Sequence, residues 1–219
     1  MTDSTHGADD SSEQEIVLEV ACNVTDTLEQ AVELGEEDLL RVALLTLERV
    51  QVEESVEISL LVTDDDGLRE LNREFRGRDE ATDVLSFPLL DTPLVEAPAD
   101  ELWQPDEDAV VDMDDTGVDG RGSWPSRDGQ RADDADNEDE SDEDDDDEDT
   151  PLHLGDIAIS RDAVVRQAAA AGHSVAWECA YLFAHGLLHL MGYDDSTDAG
   201  YQAMVAHQEA VLTEAHITR

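Results

Sequence analysis

Lysine is absent from this chain: all 12 basic residues are arginine, set against 58 acids, for a formal net charge of -46 over 219 residues. A chain so short of positive charge has no basic patch, which excludes the usual electrostatic footprint of a nucleic-acid or anionic-membrane binder at low ionic strength. At molar salt the Debye length shrinks to about 3 Å and that repulsion is screened. The composition therefore predicts a halophilic setting. An acidic protein specialised for cations or basic partners would explain the charge but not the missing lysine. Cysteine is scarce as well: Cys22 and Cys179 are the only two. They lack CxxC spacing, so they predict neither a disulfide framework nor a zinc ribbon and read as core thiols. Long apolar runs are missing too, none reaching the 18 or so residues that span a bilayer. The N-terminal MTDSTHGADDSSEQE is polar and acidic where a signal peptide would be basic and then apolar. A cytoplasmic protein with no membrane partner is expected.

What is present suffices for one core, since 40% of the residues are apolar. Residues 1–15 read as a disordered acidic tail. Ile16, Leu18 and Val20 alternate as a first strand, and Leu39, Leu40, Ala43, Leu44, Leu47 and Val50 follow helical spacing over 36–50. A second strand is predicted at 56–63, a helix carrying Leu68, Leu71, Asn72 and Phe75 after it, and a third strand at 83–87. Between 91 and 150 periodicity disappears and acids accumulate, 14 of them among the 17 residues 133–149. Like-charge repulsion and missing apolar residues predict a disordered insertion there. Order resumes with a strand at 154–160, a helix at 161–171, a fourth helix capped by Ser174, and a last one over 197–215. Residues 16–90 and 151–219 are thus expected to form a single catalytic domain of α+β class, a small mixed sheet of about four strands with helices packed on it.

The most informative stretch is HGLLHLMGYDD, residues 185–195. His185 and His189 are four apart, so on a helix their imidazoles share a face and take adjacent corners of one metal ion. Gly192 can end that helix in the left-handed conformation and turn Asp195 toward the same ion. Two imidazoles and a carboxylate suit zinc, and three protein ligands leave a fourth position open, as in catalytic sites. The spacing is that of the metzincin proteases, but their general-base glutamate is replaced by Gly186, so peptide hydrolysis has lost its base.

The same stretch resembles the C-terminal signature of the YbeY family, whose usual form has a third histidine where this chain has Asp195. LNREFRGRDEATDVLSFP (71–88) and LGDIAIS (154–160) resemble two further motifs of that family. The resemblance implies a zinc-dependent, single-strand-specific endoribonuclease active in 16S rRNA 3′-end maturation and ribosome quality control. Its partners would be RNA and the ribosome or small-subunit proteins, not DNA. It also implies one zinc per chain on His185, His189 and Asp195, and Arg76 as the catalytic cation that meets the phosphate. Asp194 and Glu178 are candidate proton acceptors or partners of the ligands, and Ser86 could bond phosphate. A different class remains open, a ribosome-assembly binding protein in which zinc only holds the last helices together.

Overall fold

The computed structural model describes residues 14–25, 27–104 and 150–219. Most of the expected tail and most of the expected insertion therefore lie outside the described residues. The sheet has four strands, β1 (Ile16–Cys22), β2 (Val56–Thr63), β3 (Val84–Pro88) and β4 (Leu152–Ser160), in the order β1-β2-β4-β3. β1 and β4 run parallel to β2, and β3 runs antiparallel to β4, so the sheet is mixed as expected. The central strands carry the core: Val56, Ile58 and Val62 of β2 and Leu154, Ile157 and Ile159 of β4 are fully buried. Strands covered on both faces are expected to be this apolar.

Six helices pack with the sheet: α1 (Leu28–Val32), α2 (Glu36–Val50), α3 (Asp65–Arg76), α4 (Arg161–Ala171), α5 (Val175–Met191) and α6 (Asp198–Glu214). The sequence does not announce α1, because five residues are too few to display a helical period; Thr27 caps it by accepting from the Gln30 N–H. Ser174 caps α5 as expected, its hydroxyl accepting from Trp177 N–H at 3.1 Å. Helix α5 is apolar almost all round, from Cys179 and Ala180 to Leu187, Leu188 and Leu190. Such a helix must be enclosed. It lies on β3 and β4 and is surrounded by α2, α4 and α6.

Gly186 makes the approach of α5 to the sheet possible. A β-carbon there would stand 2.8 Å from Cγ2 of Ile157 on β4. The position that carries a glutamate in the proteases with this histidine spacing is here a contact between helix and strand. The two cysteines differ: burial pushes the Cys179 thiol up to about 12, whereas Cys22 is only half-buried, short of the core position expected of it.

The first part of the expected disordered insertion is ordered. Residues 91–104 form no strand or helix, yet Val95 is buried. Leu94 N–H donates to the Met191 carbonyl, Trp103 N–H to Gly192, and Asp194 N–H to Glu101, while Leu102 bridges Tyr193. Tertiary contacts order this stretch as a strap across the end of α5, and periodicity could not reveal it because the strap has no period.

Candidate metal centre

The site is built where α5 ends. Gly192 terminates the helix at φ 120°, its N–H reaching the His189 carbonyl and Tyr193 N–H reaching Leu188. A β-carbon at Gly192 would meet Pro93 of the strap at 2.5 Å, so glycine is needed both for the turn and for the strap that covers it. The chain then runs through buried Tyr193 to Asp195, before Thr197 caps α6 and donates to the Asp100 carbonyl.

This path brings His185, His189 and Asp195 together, with one donor atom from each lying within 4.8 Å of the others. The two histidine Nε2 atoms are 3.1 Å apart, and the Asp195 oxygens stand 3.8 Å from His185 and 4.0 Å from His189. These separations are near the roughly 3.3 Å edge of a tetrahedron whose centre lies about 2 Å from each corner. Asp194 turns away, accepting from the backbone N–H and hydroxyl of Ser196.

The outer partner of His189 decides which of its nitrogens is bare. His189 Nδ1 lies 2.8 Å from the Tyr193 carbonyl, which has only lone pairs to offer, so Nδ1 carries the proton and Nε2 does not. Gln208 on α6 donates from Nε2 to the Tyr181 carbonyl at 3.1 Å, and its side chain lies beside His185, where it opposes the lowering of that pKa. His189 thus turns a bare Nε2 toward the Nε2 of His185. Two imidazole nitrogens 3.1 Å apart with the Asp195 carboxylate beside them are a donor set that fits a metal ion. Burial, and then His189, push the His185 pKa down against the opposing pull of Asp195, which favours the neutral form that ligation requires.

An open cleft of about 410 Å³ passes the site, walled by Arg76, Ser86, Trp103, His189, Tyr193 and Asp194. Arg76 ends α3 and donates from Nη2 to the Ser86 carbonyl at 3.0 Å. Among the described residues it makes no ion pair, and desolvation, then Arg78, lower its pKa. Glu178 lies nine-tenths buried beside His173, 3.2 Å away, and burial raises its pKa while His173 opposes the rise. Gln208 and Trp103 were not singled out from sequence. Gln208 had a signal, a lone amide among Met204, Val211 and Leu212 on the buried face of α6. Trp103 had none.

Residues 22–216 match the family model described as Endoribonuclease YbeY. The chain belongs to the YbeY family. It is 38% identical to the protein named Endoribonuclease YbeY from Moorella thermoacetica over 163 residues, covering 74% of this chain and 75% of that one. The Roseiflexus sp. protein of the same name is 36% identical, with 80% and 79% covered. The Agathobacter rectalis protein is 32% identical over 93% of this chain and 98% of its own. The YbeY match thus embraces all three sequence motifs and the whole candidate metal centre.

Proposed function

We propose that the chain is an endoribonuclease that holds one zinc ion on His185, His189 and Asp195 and receives the phosphate of single-stranded RNA at Arg76. The observation that carries this reading is the facing pair of imidazole nitrogens 3.1 Å apart, with the Asp195 carboxylate beside them, at the edge of an open cleft. Two imidazoles and a carboxylate suit zinc, and three protein donors leave a coordination position free for chemistry. When bound, such an ion supplies Lewis acidity, which acidifies water and polarises a phosphoryl oxygen.

The protein residues bind and orient. Arg76, tethered through one arm of its guanidinium to the Ser86 carbonyl and making no ion pair among the described residues, presents its remaining N–H groups to a phosphate. The Tyr193 carbonyl keeps the His189 ring in one tautomer and rotation, and Gln208 flanks His185. Asp195 adds negative charge where the family's usual signature has histidine, which tempers the electrophilicity of the ion. The family resemblance extends the reading to 16S rRNA 3′-end maturation, with the ribosome or small-subunit proteins as partners. The lysine-free acidic composition extends it to a cytoplasm of high salt.

The test is cleavage of single-stranded and duplex RNA by the metal-loaded protein, the chelated protein and Arg76→Ala. Only the single strand should be cut, chelation should stop the reaction, and Arg76→Ala should slow it about a hundredfold with metal content unchanged. Undiminished cleavage after complete metal removal would overturn the reading.

A further inference from the structure

A second recess, of about 330 Å³, adjoins the cleft and shares His185 and Asp195 with it. Its polar walls are Asp83, Gln167, Glu178, Tyr181, Tyr201 and Gln208, and no arginine lines it. Asp83 and Asp195 line both spaces, and the difference is the cation: the cleft sets Arg76 against its carboxylates, whereas the recess has no cation and adds Glu178, two amides and two phenol rings, so it suits a flat neutral group that donates N–H better than a phosphate.

The hydrogen bonds already made inside the recess identify what is free. Asp83 is occupied, accepting from Thr82, from Val84 N–H and from Gln167 Nε2. Gln208 spends its amide Nε2 on the Tyr181 carbonyl. Glu178, with its side chain 9% exposed, pairs through Oε2 with His173, and among the described residues its Oε1 has no partner. Glu178 is not among the enclosed polar groups left without a partner, so its Oε1 is open to the recess, where water or an entering N–H can donate to it. Tyr201 stands at the same recess with 58% of its surface exposed, a ring face on which a base can stack.

We infer that this recess receives the nucleobase next to the scissile phosphate and selects bases with an exocyclic amino group over uracil; the inference rests on the endoribonuclease reading. Cytosine and uracil have the same shape, but cytosine directs N4–H₂ where uracil directs O4. Against Glu178 the amino group donates, and the carbonyl meets another acceptor with no proton between them. Tyr201 supplies stacking that does not depend on which base enters.

The experiment compares oligocytidine and oligouridine of equal length on the full-length, metal-loaded protein, measuring both cleavage rate and affinity by fluorescence anisotropy. Cytidine strands should be bound and cut about tenfold better. Glu178→Gln, whose amide can present either an acceptor or a donor, should bring that ratio toward one. Tyr201→Ala should weaken both strands by about tenfold and leave the ratio intact. Equal affinities and rates for the two strands, or an unchanged ratio in natively folded Glu178→Gln, would overturn the inference. Should Glu178→Gln not fold, Tyr201→Ala decides, because undiminished affinity for both strands removes the base from the recess. Equal cleavage of both strands leaves the nuclease reading in place. Selective binding with no cleavage of either strand sinks the nuclease reading and keeps the base recess.

Discussion

At the scale of single residues, the proposed ligands rest on neighbours outside the donor set. Gln208 lies beside His185 from another helix, so Gln208→Leu should keep the fold but lower zinc affinity by about 10- to 100-fold, measured by competition with a coloured chelator. Asp194→Ala should leave zinc content at the wild-type level, whereas His185→Ala, His189→Ala and Asp195→Ala should each lose it. Gly186 is constrained by contact alone. Gly186→Ala places a methyl group against Ile157 and should cost about 1–3 kcal/mol in urea unfolding, with partial recovery when Ile157→Val opens the contact. Far from the metal, Asp65 accepts from Arg166 and Ser160, and the Arg166 hydrogen bond holds its pKa below the ordinary value against the opposing effect of burial. A carboxyl with a depressed folded pKa stabilises above its unfolded pKa, near 3.9, and loses that contribution as pH falls through the folded value. Asp65→Asn should therefore be less stable than wild type at neutral pH, by no more than about 1 kcal/mol for so exposed a pair, with the gap closing as pH drops below about 4.

At the scale of elements, α5 and the strap form one device. The helix holds His185 and His189 at a rigid, enclosed position, and its glycine cap turns Asp195 toward them where the strap bonds the turn at Met191, Gly192 and Asp194. Replacing residues 106–148 with a short Gly-Ser linker should leave melting temperature and zinc content near wild type, because loop-closure entropy varies slowly with length. Extending the deletion to 91–148 should lower both, since it removes buried Val95 and every strap bond to the turn. Equal zinc affinity in the two deletions would mean that the turn holds its shape unaided.

At the scale of the whole molecule, the cleft faces an acidic protein and an acidic substrate together. Arg76 and nearby Arg78 are the cations placed to act against a net charge of -46. At about 0.1 M salt the Debye length is near 10 Å, long enough for that field to reduce RNA encounter, and at about 1 M it is near 3 Å. Cleavage should therefore rise with salt, opposite to nucleic-acid binders governed by counterion release. Circular dichroism must accompany the rates, because screening also relieves repulsion within the fold. Faster cleavage at low salt by fully folded protein would show that a local positive groove outweighs the global field.

Periodicity and capping residues determined the four strands, five of the six helices and the class of the fold, because those signals lie within a turn or two of chain. The spacing His185, His189, Gly192, Asp195 likewise determined that three donor side chains come together, since a helix and its cap dictate geometry locally. Tertiary structure alone decided the rest. Trp103 and Pro93 belong to a stretch with no period, ordered by the turn against which it lies. Gln208 meets His185 only when α6 packs on α5, and Glu178 opens onto a recess only when α4, α5 and α6 enclose it. These contacts join residues far apart in sequence, where neither propensity nor spacing carries information and only the packing of buried apolar faces fixes which side chains meet.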